Sequence, residues 1–260
     1  MYLPVPPQPD CATAWREAAR LVDAQLGHHA HNVIIDVADP TARANLSDPV
    51  VKLVDDFLRA RDRKPVETVA NTIFPAALYR RYGAPEFYNR FKNNVLPKVR
   101  RSAQWSGYYF ERMIDLPLPD GSSINQLADV IRRIRDPNVR ALNKYELSVF
   151  DPTRDVDDSP YGGQCMSFAS LKLLDTTGGR QLGMTVLYRN HFYIEKLLGN
   201  LVGLGRLMAF IAQESGVGIG PLTIVSTHAL IDQPRSTTRS DIQNLLLASD
   251  HAAADMSEAA

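Results

Sequence analysis

Residues 165–189 read CMSFASLKLLDTTGGRQLGMTVLYR, and this stretch decides the fold class. Two runs of β-forming residues flank the turn sequence DTTGGR at 175–180, which predicts an antiparallel hairpin. A long helix should follow at about 194–214, because apolar residues recur there at helical spacing and Gly216 stands at the end. The apolar run at 221–231 predicts a further strand.

The part of the chain before the hairpin mixes helical and strand patterns. Helices are predicted at 12–26, 49–61 and 124–134, and strands at 31–37 and 146–150. We therefore expect one α+β domain over residues 1–260, with a curved mixed β-sheet packed against helices and the long helix at about 194–214 buried. The segment from about 251 to 260 should form a disordered tail.

Composition limits the classes of function that the chain can have. Its 260 residues are 45% hydrophobic, which is enough for one sizeable core. The 29 basic and 29 acidic residues balance, so charge gives no general attraction to nucleic acid or to a membrane surface. The N-terminal sequence lacks the features of a signal peptide, and no apolar run has the length of a membrane span. We expect a cytoplasmic protein whose two cysteines, Cys11 and Cys165, are reduced thiols.

Cys165 and Arg189 stand at opposite ends of the hairpin sequence, at the start of its first strand and the end of its second. In an antiparallel hairpin these two positions are neighbours. A guanidinium beside a thiol favours the thiolate, which is the nucleophilic form of cysteine. The pattern leaves a second interpretation open, in which Cys165 packs as a small apolar group and Arg189 points to water.

Asn200 lies on the apolar side of the predicted long helix, among Leu197, Gly203 and Leu204. A buried carboxamide needs hydrogen-bond partners. It offers a donor and an acceptor side by side, which matches the imide edge of a uracil base, whereas an aspartate would point more clearly to cytosine. The alternative is an ordinary polar group whose hydrogen bonds are satisfied in the core.

In their order along the chain, these residues resemble the thymidylate synthase family, whose superfamily also contains the pyrimidine nucleotide hydroxymethylases. The resemblance consists of a catalytic cysteine, a strand ending in arginine, an asparagine on a long helix and a strand bearing a histidine. The matching positions are Cys165, Leu187-Tyr188-Arg189, Gly199-Asn200-Leu201, Ala212-Gln213, Gly218 and His228, and upstream the stretch from Glu67, Tyr109, Pro119-Asp120-Gly121 and Asp136-Pro137-Asn138-Val139-Arg140. The resemblance covers roughly residues 65–232, and the part at 1–64 diverges.

The resemblance implies transfer of a one-carbon unit, methyl or hydroxymethyl, from methylenetetrahydrofolate to C5 of a pyrimidine nucleoside monophosphate. Cys165 would be the nucleophile that adds to C6 of the ring. Glu67 would organise water and move protons, and Tyr109 would assist removal of the proton at C5.

Four further residues would hold the substrate according to the same resemblance. Arg189 would bind the nucleotide phosphate, Asn200 would contact the edge of the base, and His228 would lie near the sugar or the phosphate. Members of the family are homodimers, and Arg140 would reach into the phosphate site of the partner.

Several positions depart from the family pattern. Met166 stands where a histidine is usual, Phe192 replaces an aspartate that touches both ligands, Lys196 replaces a glycine, and Leu230 replaces a tyrosine that contacts the sugar. The resemblance implies that Phe192, at this ligand-contact position, and Trp105, in an aromatic region of the family, would contact folate, and Trp105 could equally pack in the core. The C-terminal sequence MSEAA lacks the apolar residues that close the family's folate site. These departures leave open a CMP- or UMP-type hydroxymethylase, and a lapsed member that binds nucleotide as a sensor or scaffold.

Three charged or histidine-rich segments were considered as additional sites. The run His28-His29-Ala30-His31 fits no strong zinc pattern, so we expect no metal site there. The pair Arg100-Arg101 is expected to be solvated. The acidic run at 155–158 is expected to form a solvent-exposed loop.

Overall fold

The computed structural model describes residues 2–100, 107–141, 143–156 and 163–258, with side chains as far as residue 254. The part of the chain before the hairpin is mainly helical. Its helices are α1 (Cys11–Asp23), α2 (Pro49–Arg59), α3 (Val66–Ile73), α4 (Ala76–Tyr82), α5 (Glu86–Arg90), α6 (Leu96–Val99), α7 (Tyr109–Ile114) and α8 (Gln126–Arg135).

Side-chain caps define where several of these helices begin. The Asp10 carboxylate accepts a hydrogen bond from the amide of Thr13 at the start of α1, at 2.8 Å. Asn125 caps α8 in the same way, accepting from the amide of Ala128 at 2.9 Å. Because Asn125 is the cap, Ile124 lies outside α8, where the sequence predicted the first helical residue.

Within the described residues, seven strands form one mixed sheet. They are β1 (Leu3–Pro4), β2 (His29–Val37), β5 (Glu146–Ser148), β6 (Met166–Thr176), β7 (Gly179–Tyr188), β8 (His191–Phe192) and β9 (Gly218–Leu230). The order is β1-β2-β9-β7-β6-β5, with β8 pairing to β9 beside β7. The pairs β2–β9, β7–β6 and β6–β5 are antiparallel, and the other pairs are parallel. Two further short strands, β3 (Leu116–Pro117) and β4 (Ser123–Ile124), pair separately.

The long helix α9 (Leu198–Ser215) crosses behind the sheet and is almost entirely buried. One π-helical turn at Tyr193–Leu197 precedes it, and Gly216 ends it in the left-handed conformation. Helix α3 packs unusually close to α9 because two α9 positions lack a side chain. A Cβ added at Gly199 would lie 2.5 Å from the Cβ of Val69, and one at Gly203 would lie 2.8 Å from the backbone oxygen of Ala70.

The structure confirms the predicted α+β class, with a mixed sheet packed against helices, the hairpin, and the long buried helix. Helix α10 (Arg239–Glu258) extends through most of the segment that the sequence predicted to be a disordered tail. Its apolar positions Ile242, Leu245 and Leu246 are buried, which holds the first half of the helix against the rest of the fold. Among the described residues, every helix is too short or too polar to cross a bilayer.

Candidate functional site

A cavity of about 360 Å³ lies where α3, the beginning of α7, the approach to β6 and the beginning of α9 meet. It is lined by Lys64, Val69, Thr72, Gly107, Tyr108, Tyr109, Gly163, Gln164, Cys165, Lys196 and Asn200. Cys165, Tyr109 and Asn200 were predicted as site residues, and the fold brings these three together. The volume lies within the usual range for the binding site of one small molecule.

Cys165 is half-buried and faces this cavity at the start of β6. Burial raises the pKa of the Cys165 thiol above its ordinary value, whereas the positive charges of Arg189 and Lys196 lower it. Burial is the largest of these effects, so the net shift is upward. Arg189 thus acts on Cys165 in the direction that the hairpin pattern indicated, but burial of the thiol outweighs the two cations.

Arg189 is held beside Cys165 by the hairpin. Its backbone amide donates to the carbonyl of Cys165 at 2.9 Å, and its Nε donates to the carbonyl of Gln164 at 2.9 Å. The guanidinium also lies 5.9 Å from the ring centroid of Phe150. This arrangement places a fixed positive charge next to the thiol, as the hairpin pattern predicted.

The loop before Cys165 is tied to a buried ion pair. Arg112 and Asp155 are both almost completely buried, and two guanidinium nitrogens donate to the carboxylate at 2.8 and 3.2 Å. Gly163 has a φ of +74°, and a Cβ there would lie 2.9 Å from Arg189 Nη2 and 3.0 Å from the backbone oxygen of Asp155. Asp155 was predicted to lie in a solvent-exposed acidic loop. That prediction is wrong for Asp155, since the buried charge of Arg112 requires its carboxylate.

Tyr109 packs beside Cys165 at the start of α7. Burial and the proximity of Cys165 raise the pKa of the Tyr109 phenol, and they outweigh Arg189 and nearby backbone amides, which lower it. The hydroxyl therefore remains protonated at neutral pH. It can donate a hydrogen bond or orient a water molecule at the cavity wall, but it is a poor general base by itself.

Asn200 is joined to a buried polar network that the sequence did not reveal. Its Nδ2 lies 3.0 Å from Nε2 of His191, whose Nδ1 lies 2.9 Å from Oγ of Ser226. The hydroxyl of Tyr193 donates to the same Oγ at 3.2 Å. The ring of Tyr188 stacks on His191 with centroids 4.0 Å apart. The available signal was a histidine next to three apolar residues, Phe192, Tyr193 and Ile194, between the hairpin and the long helix.

Two cations of the cavity wall were also not predicted as ligands. Lys64 belongs to no motif of the sequence, and Lys196 differs from the family pattern. With the nearby Arg189 they place three cations at or beside the cavity, of which Lys196 lies 3.5 Å from Glu195 Oε2. Such a site suits phosphate or carboxylate groups.

Glu67 does not line the cavity. Its two carboxylate oxygens accept hydrogen bonds from Arg206 on α9 at 2.9 and 2.7 Å, and Asn71 also donates to it. The Arg206 guanidinium lowers the pKa of Glu67, so the carboxyl is ionised at neutral pH. The structure thus places the predicted proton-transfer residue in an ion pair between α3 and α9.

His228 also lies outside the cavity lining, in a cluster of histidines. It stands opposite His31 across β2 and β9, and its ring lies 5.3 Å from that of His31 and 5.6 Å from that of His29. Its Nδ1 lies 2.8 Å from Oδ1 of Asn190. Burial, followed by the two neighbouring histidines, lowers the pKa of His228. Within the described ranges, no group of His, Cys, Asp or Glu side chains is arranged to hold a metal ion.

The remaining predicted residues lie apart from the cavity or outside the described chain. Arg140 is exposed after α8 and does not line it. Phe192 is half-buried in β8, paired with Leu230 of β9, and likewise does not line it. Trp105 lies outside the described residues. Arg100, predicted to be solvated, donates to the buried carboxylate of Glu111 at 2.7 Å.

The fold and the cavity define an α+β protein with a cavity whose wall combines a thiol, a hydrogen-bonded carboxamide and two lysines, beside Arg189. No protein-family model matches the sequence. A protein of Methanothermobacter thermautotrophicus named "Putative thymidylate synthase" is 28% identical over 203 residues, which cover 70% of this chain and 86% of that protein. The chain is therefore similar over 70% of its length to a protein that bears this name, in line with the resemblance of the sequence to the thymidylate synthase family.

Proposed function

We propose that this protein transfers a one-carbon unit to C5 of a pyrimidine nucleoside monophosphate, with Cys165 as the nucleophile. The observation that carries the proposal is the meeting of Cys165, Tyr109 and Asn200, from three separate segments of the chain, in one cavity. The similarity to the archaeal protein supports the same class of reaction.

The proposed chemistry begins at the thiol. The Cys165 thiolate adds to C6, the C5–C6 double bond opens, and its electron pair is delocalised onto the C4 substituent, which makes C5 nucleophilic. C5 would then attack the one-carbon unit, and the electron pair of its C=N bond would return to the folate nitrogen. Loss of the C5 proton would expel the folate amine and leave an exocyclic methylene on C5. Addition of water to this methylene would give hydroxymethyl, and addition of a hydride from tetrahydrofolate would give methyl and dihydrofolate. Expulsion of the Cys165 thiolate from C6 would then restore the C5–C6 double bond. Tyr109, beside the sulfur, would orient the water that accepts the C5 proton.

Charge and hydrogen bonding in the cavity suit a nucleotide. Asn200 would read the base through its carboxamide, which offers adjacent donor and acceptor groups. Arg189 does not itself line the cavity, but its guanidinium is fixed beside Cys165, from where it would bind the phosphate. Glu67 and His228 also lie outside the lining, and each is engaged elsewhere, Glu67 with Arg206 and His228 with Asn190, so neither has a part in the proposal.

The cavity wall also has groups that suit a folate. Lys64 and Lys196 provide ammonium groups for its carboxylates, and Tyr108 provides an aromatic surface beside them. These residues would hold methylenetetrahydrofolate, which supplies the electrophilic one-carbon unit when it is bound. Phe192 is not part of this surface, so the folate contact that the resemblance implied for it is not carried forward.

Tritium release from pyrimidine nucleotides labelled at C5 tests the proposal. The protein should release tritium from at least one of dUMP, UMP, dCMP and CMP, with methylenetetrahydrofolate present, and product mass then separates methyl from hydroxymethyl transfer. Cys165→Ser should abolish release while leaving nucleotide binding within a few-fold. Cys11→Ala is the matched control, because the other cysteine is buried away from the cavity. Release that persists in Cys165→Ser would refute the role of this thiol.

A binding protein without catalysis is the second candidate. Two observations favour it: burial raises the pKa of the Cys165 thiol, and Glu67 is engaged with Arg206 outside the cavity. The same assay separates the candidates. Nucleotide binding in the micromolar range without tritium release from any of the four substrates would support the sensor or scaffold.

We also propose a homodimer in which Arg140 reaches the phosphate site of the partner. The exposed position of Arg140 supports this arrangement. Mass measurement in solution should give twice the 28.9 kDa of one chain. Mixing inactive Arg140→Gln and Cys165→Ser proteins should restore part of the activity, since one of the two sites in the hybrid would then be intact. A monomeric mass would refute the arrangement.

A further inference from the structure

The wall of the cavity behind Asn200 is a directed chain of hydrogen bonds. Asn200 and His191 are 3% and 1% exposed, and Ser226 is fully buried. His191 does not line the cavity, so it contacts the ligand site only through Asn200. Burial lowers the pKa of His191 to about 3, which keeps the imidazole neutral at physiological pH.

A neutral imidazole has one donor nitrogen and one acceptor nitrogen. Nε2 faces the amide nitrogen of Asn200 at 3.0 Å, so Nε2 is the acceptor. Nδ1 then carries the proton and donates to Ser226 Oγ at 2.9 Å. Turning the carboxamide around would place Oδ1 against Nε2 and would require the imidazole proton to move from one nitrogen to the other. The tautomer of His191 and the orientation of Asn200 are therefore coupled.

This coupling has a consequence for the base. One N–H of Asn200 is used by His191, which leaves Oδ1 and the second N–H side by side for a ligand. Uracil presents a ring N–H next to a carbonyl oxygen, and cytosine presents a ring nitrogen acceptor next to an amino group. The two bases therefore offer donor and acceptor in opposite order. A carboxamide held in the orientation seen here accepts one order and opposes the other.

We propose that His191 is a positioning residue that fixes the orientation of the Asn200 carboxamide and thereby sets the preference between uracil and cytosine nucleotides. The inference rests on the proposed function, because it takes a pyrimidine nucleotide as the ligand. It assigns the preference between the two bases to a residue that lies behind Asn200 and does not touch the ligand.

The variant His191→Phe tests the proposal most directly. Phenylalanine keeps a ring to stack on Tyr188 but has neither nitrogen, so Asn200 becomes free to turn. The measurement is the ratio of dissociation constants for dUMP and dCMP, and for UMP and CMP, by calorimetry on the full chain. We expect the wild type to prefer one base by tenfold or more, and the variant to lose about a factor of ten of that ratio, as expected for one hydrogen bond with a buried partner.

Two further variants keep the test decisive if His191→Phe folds poorly. Ser226→Ala removes the acceptor for Nδ1 and releases the tautomer, so the ratio should fall in the same direction. Tyr193→Phe leaves the bond between His191 and Asn200 intact, so its ratio should stay within twofold of the wild type. Circular dichroism and thermal unfolding establish that each variant is folded.

The outcomes separate this inference from the proposed function. A folded His191→Phe or Ser226→Ala protein with the wild-type ratio overturns the inference, as does a wild type that binds uracil and cytosine nucleotides equally. In both cases the proposed function stands, because nucleotide still binds. If the wild type binds none of the four nucleotides, the proposed function itself fails, and the inference fails with it.

Discussion

The buried imidazole of His191 makes a quantitative prediction about stability in acid. The ring is 1% exposed, stacks on Tyr188 at an interplanar angle of 12°, and bonds to Asn200 and Ser226 through its two nitrogens. Burial lowers its pKa from the ordinary 6.5 to about 3. His191→Phe removes this titration while keeping an aromatic ring in place.

The direction in which pH changes the free energy of unfolding follows from the number of protons bound by the folded and the unfolded chain. Between pH 6.5 and 3, the unfolded chain binds a proton at His191 and the folded chain does not. The free energy of unfolding therefore falls as pH falls through this range, by about 1.4 kcal/mol per pH unit. Between pH 8 and pH 5, His191 alone should cost the wild type about 2 kcal/mol of stability. The variant lacks this loss, although it is less stable at pH 8, because Asn200 and Ser226 each lose a partner.

Urea unfolding followed by circular dichroism at pH 5 and pH 8 measures both quantities. The difference in unfolding free energy between the two pH values should be about 2 kcal/mol smaller in His191→Phe than in the wild type. His251→Gln is the matched control, since His251 is exposed on α10, and it should leave the difference unchanged. The same pH difference in His191→Phe and the wild type would refute the assignment of a neutral buried imidazole at this position.

Three further outcomes follow from the contacts around the cavity. Asp155→Asn removes the carboxylate that Arg112 contacts at 2.8 Å, leaves only the more distant Asp151 carboxylate at 3.9 Å among the pairs described, and should lower the unfolding free energy by about 3 kcal/mol in urea; a loss below 1 kcal/mol would contradict the buried pair. Gly203→Ala should gain about 1 kcal/mol from helix propensity, but the added Cβ forces α3 and α9 apart. Thermal unfolding should therefore show a net decrease of about 1 kcal/mol in the free energy of unfolding. An increase would mean that α3 can move to make room for the added Cβ. The rate of alkylation of Cys165 by iodoacetamide should rise with pH with a midpoint above the ordinary thiol pKa of about 8.5. Lys196→Gln should raise that midpoint further, because it removes a positive charge. A midpoint below pH 8 would contradict the conclusion that burial is the largest effect on this thiol.

Local periodicity was enough to predict the framework of the site. The hairpin and the long helix follow from alternation and from helical spacing in segments that are buried on a defined face. The hairpin also predicted that Arg189 would stand beside Cys165, because strand pairing fixes that neighbour without any knowledge of the rest of the fold.

Contacts between distant segments could not be predicted in this way. Whether a thiol is ionised depends on how deeply it is buried, and the depth of Cys165 depends on loops and helices far away in sequence. Asp155 looked like one more acidic residue of a polar loop until the fold brought Arg112 to it. Glu67 and Arg206 are both common surface residues, and only the packing of α3 on α9 makes them partners.

A single physical cause links the two halves of the proposed site. Low accessibility to water keeps His191 neutral and holds Asn200 in one orientation, which favours selective reading of a base. The same low accessibility raises the pKa of Cys165, which opposes formation of the nucleophile. The positive charges near the sulfur oppose only the rise of the Cys165 pKa. A nearby cation stabilises an anion such as a thiolate, but it has little effect on the hydrogen bonds of a neutral carboxamide. If the proposed function holds, cations at positions 189 and 196 let one buried site combine a hydrogen-bonded carboxamide with a thiol that can still ionise, and a small amount of thiolate is enough because sulfur is intrinsically a strong nucleophile.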